Sequence, residues 1–339
     1  MRINKEFIDR FVSGILKPGA VIVSYGMRGG GKTHCAVSFC QRMIDHEYPS
    51  APKHVVLITN VIFVKRTESG FVTESPPGVH TIHSMKEIFP IVVDALERYS
   101  RKDAMVILLL DEAQNFLLGD MNNVGDMASS MKKFCGIIRK FNLCLWLLSP
   151  AMRNLGPAFR NFLDADTDPG NVNCTFQKDN ARAKRIIEKH KLELDPRSLV
   201  FVKPGMNAGE RYLPVPTSSW TRDPDTLEVG EYAYDNLSSA DFTVGDFPFH
   251  EFVQYISGKS SYDMISGIKE FYEMLENRPE DAGADPELVQ KVKSEVSRSI
   301  AVRLRNEKGM SRADVAELFG VSENTITNWT NAAKKNGGS

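Results

Sequence analysis

The chain has 339 residues, 42% of them hydrophobic, more than one core ordinarily serves, so two or three domains are expected. Its 42 Lys and Arg against 43 Asp and Glu leave a formal charge of -1, which excludes a global basic field and confines any nucleic-acid contact to a local patch. Five cysteines, odd in number and without C-x-x-C spacing, exclude a disulfide framework or zinc module and point to core residues in a reducing, cytoplasmic setting.

The first segment, MRINKEFIDRFVSGILKPG, sets Phe7, Ile8, Phe11, Val12, Ile15 and Leu16 at helical spacing, which predicts an amphipathic helix and not a signal peptide. No apolar run approaches the roughly 18 residues that span a bilayer, so no membrane span is expected. After the Pro18-Gly19 turn, AVIVSY reads as a buried parallel strand. The stretch GMRGGGKT follows, and then THCAVSFCQRMIDH places Cys35, Ala36, Phe39, Cys40 and Met43 at helical spacing.

Strand, glycine loop and helix in that order make a phosphate cradle. Glycines let consecutive backbone amides point inward at a helix N-terminus, where the dipole also favours negative charge. Gly26, Gly29, Gly30 and Gly31 would form the loop, Lys32 would meet the β- and γ-phosphates of ATP as a point charge, and Thr33 would ligate Mg²⁺ through its hydroxyl. The same pattern arises by chance in glycine-rich turns, but here it carries the full G-K-T ending between a strand and a helix.

HVVLITN, VIFVKRT and VHTIHS come next, a strand density that suggests an antiparallel addition beside a parallel core. Residues 85–99 read as a helix and MVILLLDEAQNF as a central strand ending in acids. Asp111 stands where a magnesium-holding carboxylate belongs, Glu112 where a residue orients or deprotonates the attacking water. The competing reading makes Asp111 a helix cap. A buried strand running straight into two adjacent carboxylates is costly without a cation, which favours the metal. Hydrolysis is then the leading chemistry, ahead of small-molecule phosphorylation, for which no early cluster of lid arginines is present.

Residues 126–141 form the next expected helix, leading into LCLWLLSP. Ser149 at its end is a candidate sensor of the γ-phosphate. In SPAMRNLGPAFRN, Arg153 or Arg160 would serve as an arginine finger in a neighbouring subunit, or else as a solvated or ion-paired surface residue. Gln114 is a second sensor candidate. Alternating strands and helices argue an α/β sheet with helices on both faces through residue 165. Residues 166–275 read as a strand-and-loop extension packed on that core, with strands in VNCTFQK and SLVFVKPG around a basic helix at 181–191, few periodic stretches over 212–250 and a helix over 252–275. A linker, 276–286, precedes a small helical domain, 287–339.

The order GMRGGGKT, strand-rich insert, LLLDEAQ and LLSPAMRNLGPAFRN, over residues 19–166, resembles the additional-strand, RecA-like P-loop ATPases. Within them it is similar to the FtsK-HerA superfamily, zonula occludens toxin-like viral and plasmid type. That resemblance implies a ring-forming homo-oligomer that hydrolyses ATP and moves double-stranded DNA in packaging or transfer. Two departures stand out: Ser149 replaces the glutamine frequent at this strand end, and the membrane segment of the filamentous-phage members is missing. The segment LEVGEYAYDNLSSADFTVGDF resembles a region that follows the core in such ATPases.

GMSRADVAELFGVSENTITNWTNAAKK has a helix-turn-helix pattern: Ser311 caps a helix with Val315, Ala316, Leu318 and Phe319 apolar, Gly320 turns, and Ser322 caps a second helix with Ile326 and Trp329 inward. The second helix offers Asn324, Thr325, Thr327 and Asn328 to the DNA major groove. Nine basic residues against seven acidic ones over 285–339 add a modest positive charge. A three-helix protein-binding module is the alternative. Three functions stand at this point: a DNA-associated motor; an ATP-switched, site-specific regulator or segregation or replication-initiation protein; and a protein-remodelling adaptor.

Overall fold

The structure is a computed structural model that describes residues 16–99, 101–117, 124–151, 155, 171–176, 185, 188–189, 199–201, 212–213, 217–239, 242–243, 247–277, 311–319 and 322–336. The expected N-terminal helix, Arg153, Arg160, most of the 181–191 helix, the linker beyond residue 277 and the Gly320 turn lie outside these residues. The chain divides into two compact units, Met1–Glu273 and Met274–Ser339.

The first unit is built on an eight-stranded sheet. Its strands are β1 (Val21–Tyr25), β2 (His54–Thr59), β5 (Val79–Thr81), β6 (Ala104–Leu110), β7 (Leu143–Ser149), β8 (Asn171–Phe176), β9 (Leu199–Phe201) and β10 (Tyr212–Leu213). In space they run β10-β9-β8-β1-β7-β6-β2-β5. The six from β8 to β5 are parallel; β9 and β10 are added antiparallel. β7 is thus inserted between the strand that leads into the glycine loop and β6, the strand that ends in the acids. This is the additional-strand order of the P-loop NTPase fold, and it puts the ends of β1, β6 and β7 side by side.

β6 and β7 are buried at every position, as unbroken apolar runs are when both faces of a parallel sheet are covered. Asn142 starts β7 cleanly: with φ of 52° it turns the chain in the left-handed region, and its Nδ2 donates to the Ala104 carbonyl at 2.8 Å. Four helices complete the core: α1 (Lys32–Ile44), α2 (Ile88–Arg98), the short α3 (Gln114–Leu117) and α4 (Val124–Ile137).

A second, three-stranded antiparallel sheet runs β11-β3-β4, from β3 (Val61–Thr67), β4 (Gly70–Thr73) and β11 (Tyr232–Ser239). β3 and β4 are the expected antiparallel addition. β11 falls in the region read as largely aperiodic, because only Ala233 among its described side chains is fully buried and no alternation announces it. The 217–221 strap binds this extension to α1. Arg42 Nη2 donates to the Thr217 carbonyl at 2.8 Å, Gln41 Nε2 to Ser219 Oγ at 2.5 Å, and Trp220 N–H to Gln41 Oε1 at 2.8 Å. The Trp220 ring meets Phe63 of β3 edge-on, 5.4 Å between centroids.

In place of one helix over 252–275 there are two, α5 (Phe249–Ser257) and α6 (Met264–Glu276). Gly258 and the polar Ser260–Asp263 turn separate them, with Ser260 Oγ donating to Asp263 Oδ2 at 2.6 Å, the local competition by which Ser and Asp end helices. The Phe252 ring of α5 lies tilted 4.0 Å from that of Phe89 of α2 and meets Phe271 of α6 edge-on at 5.2 Å, so this end of the unit is an aromatic cluster.

In the second unit, α7 (Arg312–Phe319) and α8 (Glu323–Asn336) bury Val315, Ala316 and Ile326. Ser311 Oγ accepts Asp314 N–H at 3.1 Å and Ser322 Oγ accepts Thr325 N–H at 3.2 Å, so both expected caps are made.

Candidate nucleotide site and nucleic-acid helix

The glycine loop hangs between Tyr25 and Lys32. Gly26 N–H donates to the Ser149 carbonyl at 3.3 Å and Gly30 N–H to the Met27 carbonyl at 3.0 Å, so two of its amides shape the loop. Gly29 at φ of 68° and Gly31 at 93° stand in the left-handed region that suits glycine, and Gly31 is the residue from which α1 starts. Among the described residues the amides of Gly29, Gly31, Lys32 and Thr33 meet no acceptor, as the first amides of a helix do not. Lys32 is buried, its Nζ donating to the carbonyls of Gly26 at 3.1 Å and Met27 at 3.3 Å.

At the end of β6, Thr33 Oγ1 donates to Asp111 Oδ2 at 2.7 Å, joining the loop to the acids across 78 residues of chain. Burial raises the Asp111 carboxyl above the ordinary carboxylate range, against the opposing hydrogen bonds from Thr33 and from Glu112 N–H. Glu112 has φ of 52°, uncommon outside glycine. Its carboxylate accepts from Gln114 Nε2, while Gln114, itself buried, keeps an Oε1 with no partner among the described residues. Ser149 is fully buried beside Tyr25 in register, its hydroxyl donating to the Ala151 carbonyl at 3.1 Å. The structure therefore brings Gly26 to Thr33, Asp111, Glu112 and Ser149 to one edge of the sheet.

Two residues at this edge escape sequence reading. Asn60, just past β2, holds both main-chain polar groups of Asp111. Tyr234 of β11 has its phenol raised first by burial and then by the negative charge of Asp111, which places the second sheet near the acids. A lone Asn after a strand and a Tyr in an aperiodic stretch carry no spacing signal. No group of three or more His, Cys, Asp or Glu among the described residues could hold a metal ion, so a cation here would depend on Thr33, Asp111 and phosphate oxygens together.

On α8, Asn324 and Asn328 are exposed one turn apart. Thr325 and Thr327 are occupied within the unit: Thr325 Oγ1 is 2.9 Å from Ser322 Oγ, and Thr327 Oγ1 donates to the Glu323 carbonyl at 2.9 Å.

Residues 293–338 match the homeodomain-like domain family. A search of curated proteins finds no match. Among solved structures, the chain is similar to the genome packaging NTPase B204 from Sulfolobus turreted icosahedral virus 2 in complex with ATP-gammaS, at 15% identity over 59% of this chain and 99% of that one, TM-score 0.33. It is similar also to B204, the DNA-packaging ATPase from Sulfolobus turreted icosahedral virus, at 13% over 59% and 99%, TM-score 0.33. C. elegans PCH-2 gives 16% identity over 81% and 63%, TM-score 0.28. Scores of this size leave the fold assignment to strand order and loop geometry. Those define the class: an α/β protein of the P-loop NTPase fold with a small helix-turn-helix unit of homeodomain-like type. No helix among the described residues is long and apolar enough to cross a membrane.

Proposed function

We propose that the chain is an ATPase associated with double-stranded DNA, acting as a ring-forming translocation or packaging motor tethered by its helix-turn-helix. The contact between Thr33 and Asp111 at 2.7 Å carries this reading, since it joins a phosphate cradle to an acid at the sheet edge where hydrolysis would occur.

The open amides of Gly29, Gly31, Lys32 and Thr33 would receive phosphate oxygens, and Lys32 would exchange its carbonyl partners for the β- and γ-phosphates of ATP. Mg²⁺ fits the same corner, because burial makes the Asp111 charge costly without a cation and the Thr33 hydroxyl stands beside it. Held by Thr33 and Asp111, the ion would supply neutralisation of phosphate charge. Glu112 would orient and deprotonate the attacking water, Ser149 would sense the γ-phosphate from the strand end, and Arg160 would reach the site of a neighbouring subunit. Asn324 and Asn328 would read base edges, while Thr325 and Thr327 would act through the shape of the helix or through phosphates.

A second reading, the ATP-switched site-specific regulator or initiator, draws support from the Gln114 amide that engages the Glu112 carboxylate, as a slow hydrolase would require. One experiment separates the two: ATP turnover with and without duplex DNA, beside sizing with a nonhydrolysable nucleotide. The motor predicts DNA-stimulated turnover and nucleotide-dependent assembly, with Lys32→Ala and Glu112→Gln folded but inactive. A monomeric, DNA-independent hydrolase would overturn it.

A further inference from the structure

Asn60 is the residue at which the chain leaves the parallel sheet and enters the small one: Thr59 ends β2 and Val61 begins β3. Its side chain serves Asp111. Nδ2 donates to the Asp111 carbonyl at 3.0 Å, and Oδ1 accepts Asp111 N–H at 2.7 Å. β2 last pairs with β6 at Thr59 and Leu109, so this amide supplies, two residues further on, the donor and acceptor that a continuing strand would have given. Asn60 is 2% exposed, and at that depth an unmet polar group is expensive.

The next residue, Glu112, needs such support. Its left-handed backbone is a conformation that persists in a non-glycine residue only where the surroundings over-determine it. Three contacts do so here: the Asn60 clamp, Asp111 Oδ1 accepting Glu112 N–H at 2.8 Å, and Ala113 N–H donating to the Leu148 carbonyl at 2.9 Å. Among the described residues, only the first is a side chain with no other partner to satisfy.

We infer that Asn60 is a positioning residue for hydrolysis, fixing the main chain of Asp111 so that the Asp111–Glu112 turn keeps the geometry in which the Thr33 hydroxyl meets the Asp111 carboxylate. This rests on the hydrolytic role proposed for Asp111 and Glu112. Asn60 touches neither nucleotide nor water in this scheme, and its removal acts on rate through the acids.

The test uses the full-length chain as wild type, Glu112→Gln, Asn60→Ala, the double variant and Asn60→Ser, whose short hydroxyl can make one of the two bonds. Steady-state phosphate release gives kcat, titration with a fluorescent ATP analogue gives nucleotide affinity, and hydrogen exchange of the nucleotide-free chain reads protection over residues 104–116. Asn60→Ala is expected to lower kcat about 10- to 100-fold, the range for misplacing a catalytic group by a fraction of a turn, with affinity within about threefold. Exchange should quicken at Asp111 and Glu112 while β6 stays protected, Asn60→Ser should fall between, and Asn60→Ala should add nothing in the Glu112→Gln background. An inactive Glu112→Gln beside a fully active Asn60→Ala would overturn the positioning role alone, as would equal losses of kcat and affinity. A Glu112→Gln that binds nucleotide and turns over at the wild-type rate would overturn the hydrolytic assignment itself, and the positioning role with it.

Discussion

Gln41→Ala should loosen the strap that holds the extension to the glycine-loop helix, and the cost can be built bond by bond. The Gln41 carboxamide bridges two residues of the strap, donating to Ser219 Oγ at 2.5 Å and accepting Trp220 N–H at 2.8 Å. The two bonds are unequal in consequence. The Ser219 hydroxyl is half-buried and can turn to water, so losing that bond costs about 1 kcal/mol. The Trp220 amide is buried and would be left without an acceptor, at about 1–3 kcal/mol. The total is about 2–4 kcal/mol for Gln41→Ala, against about 0.5–1.5 kcal/mol for Ser219→Ala, which removes only the exchangeable partner. Gln41→Glu keeps an acceptor for Trp220 N–H and should cost less than the alanine. Urea unfolding followed by tryptophan fluorescence reads these as midpoint shifts at unchanged slope. If Ser219→Ala proves as costly as Gln41→Ala, the buried amide of Trp220 is not what the glutamine is holding.

Three further outcomes follow from the site. Thr33→Val removes the hydroxyl shared with Asp111, so the magnesium-dependent part of ATP-analogue affinity should fall about 10- to 100-fold while affinity in EDTA stays put; equal losses in both buffers would point to a damaged loop. Burial raises the Asp111 pKa in the folded chain, so the folded state binds the proton more readily than the unfolded one. The stability that this proton lends is full below the unfolded pKa and is lost as pH rises through the folded pKa. Asp111→Asn should therefore raise the melting temperature of the nucleotide-free chain at pH 7, with the difference shrinking on acidification; a variant that melts lower at pH 7 would reverse that sign. On the helical unit, Asn324→Ala and Asn328→Ala should each relax preference at one base pair by about 1–3 kcal/mol in duplex competition, while Thr325→Val, which removes the hydroxyl paired with Ser322 Oγ, should lower affinity evenly across sequences.

The parts of the molecule legible in its sequence are those written as periodicity or as unbroken apolar runs. VILLL and LCLWLL read as buried strands, and GMRGGGKT between strand and helix reads as a loop at a helix start. The five cysteines, scattered in apolar runs, are all free and buried. What stayed hidden has no period. β11 alternates poorly because it lies in a small sheet with much of its surface open, and the break between α5 and α6 depends on a local contest between Ser260, Asp263 and the helix main chain that apolar spacing does not register. Asn60 and Gln41 are polar side chains in ordinary positions whose importance comes from main-chain and hydroxyl partners 51 and 178 residues away. Long-range pairing of that kind leaves no mark in composition.

In the proposed function the glycine loop would itself set much of the phosphate site. Gly26 and Gly30 use their amides to shape the loop, and α1 starts from Gly31. Lys32 is the one strained point in charge terms, a buried ammonium satisfied by two neutral carbonyls at 3.1 and 3.3 Å. Phosphate offers it a full negative charge and a stronger, charge-assisted bond. Under the proposed function, nucleotide entry would be an exchange of partners at Lys32. At the end of β6, a cation and phosphate together would offset the cost of the Asp111 charge.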